Sequence, residues 1–538
     1  MSRRDETTDA IVIGAGHNGL ACALVLAKAG WRVVVVERAA AAGGAIRTEE
    51  VTLPGFRHDL FAANLNLFAG SPFFEQHGAE LTELGLEFAH SNRPFASVFP
   101  DGTAIEVTTN GEETLRSIAA ISPTDGQRWR DAEADFDRIS PHLMPLLATQ
   151  VPSLDALRTL RSGRRALGKG WAYELARLAL QSPREFAEER FDSEELQALV
   201  AAWGMHLDFA PDVAGGAMFP FLETFASARH GMVLGKGGAA AMVDALVAAL
   251  ERAGGEVRLG NGACDVLIES GRAKGVILDD GKRIHAKRAV ISNLAPRLLF
   301  GPLVHRDVVP ADCMAGVDRF RHGPGTLMIH LALNAPLAWS ASPTLHQSAY
   351  VHVAGRLSDM SLTYAQAQAG LLPAAPALVV GQPSEVDPSR APDGQHVLWI
   401  QVRMVPGVIR GDALGEIDAR DWSEAKEALA DRILAQLESY APGLSERVLG
   451  RHVLSPADLE RYNPNLVGGD SLGGSHHPMQ YFFLRPIPGW SRYRTPIESL
   501  YMCGASTWPG AGVGAGSGYM LGKQLSRGSR IRRLVSRR

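Results

Sequence analysis

Several things are scarce in this chain, and each scarcity removes a class of protein. Four cysteines, Cys22, Cys264, Cys313 and Cys503, are spread over 538 residues with no two close together. That spacing leaves no Cys-x-x-Cys dithiol centre and no structural zinc site, and it suits a reducing compartment. No uninterrupted apolar run approaches the eighteen residues a membrane-spanning helix needs, since the longest candidate, 239–250, is broken by Asp244. The charge is nearly balanced, at −4, so no broad basic surface points to nucleic acid as a partner. The amino terminus, MSRRDETTD, carries acids and no apolar segment, so no secretory signal is expected. Internal repeats are absent too. With 46% hydrophobic residues the chain has the composition of a large globular enzyme, expected in the cytoplasm.

What is present begins within fifty residues. Asp9 to Glu37 reads DAIVIGAGHNGLACALVLAKAGWRVVVVE, which predicts strand, tight turn, helix and second strand. In the turn, Gly14 permits the reversal, Gly16 lets the backbone approach a pyrophosphate and Gly19 lets the helix lie close on the sheet. The free N–H groups of the helix start suit phosphate. Glu37, eighteen residues after Gly19, stands at the tip of the second strand, where a carboxylate accepts bonds from ribose hydroxyls. A second turn, Gly231–Gly238 (GMVLGKGG), precedes a predicted helix over 239–253 and a strand meander to Ser292, and reads as a further element of the nucleotide site. Near the end, 500–525 reads LYMCGASTWPGAGVGAGSGYMLGKQL, a strand, a glycine-rich loop and a helix from about Gly518 whose positive end would face a ligand.

The pair Gly43-Gly44 followed by Arg47 resembles the second motif of two-dinucleotide-binding-domain flavoproteins, which bind FAD at this first site. Together with GAGHNGL, Gly235–Gly238, the run Ala289–Asn293, Arg485-Pro486 and CGASTWPGAGVGAGSGY, it makes the whole chain resemble the phytoene desaturase-like branch of the FAD-dependent amine oxidase superfamily. The resemblance implies an α/β architecture. A Rossmann-like FAD-binding domain, from residues 1–72, 230–297 and 490–538, would be interleaved with a mixed α+β substrate domain, from 73–229 and 298–489. It implies non-covalent FAD held by Gly14, Gly16, His17, Asn18, Gly19, Glu37, Arg38, Gly43, Gly44, Ala45, Arg47, Asn293, Gly504, Ala505, Gly510, Gly512 and Val513. The adenine would lie near Ala263 and Cys264.

Departures from the superfamily narrow the chemistry. Amine oxidases keep a lysine near flavin N5 on a strand matching 325–333, but GTLMIHLAL has none. They also place aromatic rings beside the flavin, whereas Trp508 is followed by Pro-Gly-Ala-Gly, so an aromatic amine cage is not expected. An acidic residue often follows the glycine matching Gly504; here Ala505-Ser506 stands, leaving main-chain N–H groups or Ser506 to contact the ribityl chain.

The substrate segments predict helices over 111–121, 125–147, 172–181, 194–203 and 423–439, and strands over 326–333 and 397–402. The stretch Trp203–Phe225, rich in aromatics and methionine, is a candidate cavity wall, although filling the core is the commoner fate of such stripes. Acid–base candidates are His230, His330 and the pair His476-His477. No carboxylate or cysteine at ligand spacing accompanies that pair, so no metal is expected. Arg485 is a candidate anchor for a carboxylate or a phosphate. The expected function is oxidation or isomerisation of a carbon–carbon bond in an apolar, carotenoid- or lipid-like substrate, with an amine oxidase and a non-catalytic FAD scaffold as alternatives. Lys523–Arg538, with seven basic residues and no acid, is expected either to be a solvated helix end or to touch anionic membrane peripherally.

Overall fold

The computed structural model describes residues 6–535. Two sheets, each of seven strands among the described residues, carry the fold. In the first, Glu6–Ile13 lies parallel between Val33–Val36 and Arg283–Ser292, with Glu256–Arg258 beyond Val33–Val36. Leu500–Met502 adds parallel to Arg283–Ser292, and the hairpin Ala263–Glu269 and Arg272–Leu278 extends the same edge antiparallel. Alternation along a strand sends successive side chains to opposite faces. Ala10 and Val12 therefore meet helices His17–Lys28 and Ala240–Arg252 on one face, while Ile11 and Ile13 join Leu299, Cys313 and Val317 on the other. A parallel sheet covered on both faces explains the unbroken run of buried valines in Val33–Val36.

The second sheet runs in the order Val448–Leu454, Gly325–Leu333, His396–Val405, Ala377–Gly381, Tyr350–Val353, Phe95–Val98 and Ala104–Val107. Its outer face packs on helix Trp422–Tyr440 through Leu398, Ile400 and Val402. The same alternation turns Trp399, Gln401 and Arg403 inward, where they line an internal cavity. Helices Asp125–Leu147, Glu194–Ala201 and Met218–His230 form the layer facing that side.

Two departures from expectation matter. The helix predicted to run to Trp203 stops at Ala201 and tightens into a 3₁₀ turn, Ala202–Leu207. Residues three apart eclipse in that geometry, so Trp203 and His206 come together with ring centroids 4.8 Å apart. The segment after residue 72 also stays longer with the first sheet, because Phe73, Leu81 and Leu86 pack in the core of helices His17–Lys28 and Ala240–Arg252. No helix among the described residues is long and apolar enough to cross a membrane. The basic tail lies mostly outside the residues whose side chains are described, and Ser536–Arg538 lie outside the described residues altogether.

Candidate functional site

One cavity of about 480 Å³ reaches from the carboxyl ends of the first sheet's parallel strands to the inner face of the second sheet. At its first end the chain leaves Ile13, turns at Gly14 with φ +97°, and enters the helix at His17 with no side chain capping its first N–H groups. Those donors are left for a ligand anion. Gly19 sits behind the turn, where any Cβ would run into the carbonyl of Gly14. A second strand of main chain closes the cradle, with Gly43 N–H donating to Ala15 O at 2.9 Å.

Other residues set the cradle's shape. Glu37 accepts from the N–H of Ala15 at 2.8 Å and of Ala39 at 2.9 Å, and its carboxylate faces the cavity. Asn18 is buried, and its Oδ1 accepts from Ser517 Oγ at 2.9 Å and Gly518 N at 3.3 Å, tying the first helix to the last, Gly516–Val535. His17 lies against the main chain of Gly512; burial pushes its pKa down to about 4, so the ring is neutral. Asn293 donates from Nδ2 to Gly14 O at 3.4 Å and Gly16 O at 3.5 Å, holding the turn from the third strand.

The structure brings Gly14, Gly16, His17, Asn18, Glu37, Arg38, Gly43, Gly44, Ala45, Arg47, Ala263, Asn293, Gly504, Ala505, Gly512 and Val513 to one cavity wall. Cys264 is not among them. It is exposed, and strand alternation turns it away while Gly262, one residue earlier than expected, faces the cavity beside Arg38. Gly510 stands behind the wall, against the His476 ring. Ser506 lines the cavity, but its hydroxyl already donates to Gly473 O at 2.8 Å.

The histidines singled out in the sequence do not reach the cavity wall. His230 is exposed at the end of its helix. His330 is buried on the second sheet between the rings of His58 and His452, at 5.3 and 6.5 Å. His476 accepts from Ala511 N–H at 2.9 Å and supports the glycine loop from behind. His477 sits on Asp208, 2.8 Å from its carbonyl oxygen. Arg485 is likewise no anchor: fully buried, it spends its guanidinium on the carbonyls of Gly473, Gly474, Ser475, Gln480 and Ala505. The Gly231–Gly238 turn also stays off the cavity. It is bolted to the second sheet's loops by buried Arg390, which donates to Gly235 O and Asp59 at 2.9 Å and to Asp387 at 3.0 Å.

The far end of the cavity joins the candidate wall 203–225 to second-sheet residues that sequence reasoning passed over, Tyr350, Trp399, Gln401 and Arg403. Tyr350 and Trp399 stack nearly parallel, 5.5 Å between centroids and 6° between planes. They lie in strands on either side of Gly381, which pairs with both, and a Cβ there would lie 3.0 Å from the Trp399 ring and 3.3 Å from the Tyr350 ring, closer than ordinary contact. An aromatic wall thus exists after all, supplied by the second sheet and not by the residues after Trp508. Trp203, His206, Phe219 and Glu223, all from the stretch 203–225, complete it from the helical layer, while Met205, Met218, Phe221 and Phe225 of that stretch fill the core. His206 Nε2 is 3.1 Å from His352 Nε2, and burial holds both rings neutral, that of His352 down to about 3. Glu223 has no hydrogen bond or ion pair among the described residues, and burial pushes its carboxyl up to about 7. Arg403, 7% exposed, is considered below. Among the described residues no group of three or more His, Cys, Asp or Glu is placed to hold a metal.

Three comparisons bear on this arrangement. A family model described as flavin containing amine oxidoreductase matches residues 19–521. Pyridine nucleotide-disulfide oxidoreductase domain-containing protein 2 of Rattus norvegicus is 28% identical over 551 residues, covering 95% of this chain and 92% of that protein. A phytoene desaturase (neurosporene-forming) of Cereibacter sphaeroides is 25% identical over 558 residues, covering 99% and 97%. Among solved structures, putrescine oxidase bound to putrescine superposes with a TM-score of 0.61 at 17% identity over 98% of this chain and 99% of that one, a likeness of fold alone.

Proposed function

The chain belongs to the flavin-containing amine oxidoreductase family, in its phytoene desaturase-like branch, and from that premise we propose that it binds FAD non-covalently and oxidises or isomerises a carbon–carbon bond of a largely apolar substrate. FAD fits the residues present. The uncapped helix start and the Gly14–Gly19 turn suit a pyrophosphate, Glu37 suits ribose hydroxyls, and Gly262 and Ala263 line the same cavity, where an adenine would lie. Non-covalent attachment is supported by Cys503, the one cysteine on the cavity wall, whose thiol burial pushes up to about 12 and so keeps protonated.

The observation that carries the substrate reading is the wall facing that cradle: Phe61, Trp203, Phe219, Met328 and Trp399 are apolar surface of the kind that takes a hydrocarbon body. An amine is disfavoured beside Arg403. A guanidinium already occupies the wall, and two like charges about 4 Å apart repel by roughly 4 kcal/mol at the effective dielectric of a protein. FAD, held by that cradle, would supply the hydride acceptor. This chain supplies the acceptor for the accompanying proton, and Glu223, unpartnered and poised near neutrality, is the carboxyl suited to it. Purified protein should be yellow, release FAD and not FMN on denaturation, and bleach anaerobically with unsaturated hydrocarbon or isoprenoid probes. Bleaching by amines alone would overturn the reading, and a protein that no probe reduces would point to a scaffold.

A further inference from the structure

Two polar side chains on one strand face the apolar cavity with hydrogen-bonding groups that the protein leaves unmet. Arg403 is 7% exposed and lines the wall. Its Nη1 donates to Ser471 Oγ at 3.2 Å and its Nη2 to His206 O at 3.2 Å, which leaves one hydrogen on each nitrogen with no acceptor. It forms no ion pair with a carboxylate among the described residues. The acid it feels, Asp470, is committed elsewhere, accepting from Leu472 N at 2.8 Å and Gly474 N at 2.7 Å and lying 3.0 Å from His322 Nδ1. Gln401, two residues earlier on the same face, is 8% exposed and its side-chain amide has no hydrogen bond among the described residues. A buried cation without a counter-charge is costly, and a protein that keeps one in a binding cavity has the opposite charge arrive with the ligand.

We propose that the substrate carries a carboxylate at one end of its apolar body, and that Arg403 pairs with it while Gln401 donates its amide. The inference rests on the reading of this cavity as the substrate site. The planar fork of the guanidinium matches the two oxygens of a carboxylate, and one cation with a neutral amide suits a single negative charge. Ser471 links the pair to the cofactor wall: its hydroxyl bonds Arg403, it lies two residues from Gly473, and Gly473 packs on Ala505 of that wall. The carboxylate would thus orient the chain of the substrate, with its tail along Trp203, Phe219 and Met328.

The test is a titration of the flavin-loaded protein with dodecanoate, dodecanol and dodecylamine below their micelle concentrations, read by quenching of tryptophan fluorescence. Dodecanoate should bind at least about tenfold tighter than dodecanol, with the amine weakest. R403M should erase that preference while keeping its flavin and its melting temperature, R403K should keep part of it, and Q401L should reduce it severalfold. Equal affinities in the parent protein, or an undiminished preference in R403M or Q401L, would overturn the proposal. So would loss of flavin from R403K, which would assign the residue to the cofactor. None of the probes has to be oxidised. A carboxylate preference here, with no bleaching by any of the unsaturated hydrocarbon or isoprenoid probes, would sink the dehydrogenase reading and leave this one standing; bleaching by neutral hydrocarbons with no carboxylate preference would do the reverse.

Discussion

Replacing Glu37 by Gln tests the cofactor site through a single atom. Each carboxylate oxygen of Glu37 already accepts one main-chain N–H, from Ala15 at 2.8 Å and Ala39 at 2.9 Å, and each has a second lone pair for a ribose hydroxyl. In the Glu37→Gln variant one oxygen becomes an NH₂ group that points at a main-chain donor, so one bond inside the protein is lost and one acceptor disappears from the cavity. Hydrogen bonds to charged groups contribute about 1.5–3 kcal/mol each, and loss of one ribose contact should therefore raise the Kd for FAD by about 10- to 150-fold. Apoprotein is titrated with FAD and followed by quenching of flavin fluorescence, with melting of the apoprotein as a control for the lost internal bond. Glu37→Asp, one methylene shorter, reaches the main chain or the ribose but not both, and should fall between. If E37Q binds FAD within about twofold of the parent while its apoprotein melts lower, the carboxylate serves the turn alone and the ribose role is wrong.

Arg390→Met should lower stability by about 3–5 kcal/mol, because it leaves Asp59 and Asp387 buried side by side without their cation. Denaturant unfolding reads the loss, and adding D59N and D387N should recover part of it; an unchanged midpoint would show the cluster to be idle. For Glu223 the folded-state pKa, about 7, lies above the unfolded value, so its contribution to stability is complete at acid pH and is lost as pH rises through 7. The parent protein should melt lower at about pH 8 than at about pH 6, and Glu223→Gln should flatten that slope; an equal slope in both proteins would place the titration elsewhere. Removing the residues after Gln524 should abolish sedimentation with anionic liposomes at low salt, since each basic residue near such a surface contributes about 1 kcal/mol. Equal partitioning of the long and short proteins would leave the tail a solvated helix end.

The glycine turn and the helix that follows it were legible in the chain because they are local. A buried strand, three spaced glycines, a helix and an acid at the next strand's tip dictate one another's positions over some thirty residues, and Gly14 to Glu37 lie in the structure where that spacing requires. The motif at Gly43-Gly44 and the closing glycine loop were readable for the same reason. The substrate end was not, because its residues meet only through register. Trp399, Gln401 and Arg403 face inward by the alternation of one strand, Tyr350 joins them because Gly381 leaves room between, and Trp203 and His206 turn toward them because a helix tightens into a 3₁₀ turn. Nothing in composition distinguishes Arg403, three of whose five N–H groups have no acceptor, from Arg485, which is consumed by five carbonyls. Sequence determines which side chains exist and the short-range turns they must make; only the packing of the two sheets decides which buried guanidinium is satisfied by carbonyls and which keeps N–H groups facing the cavity.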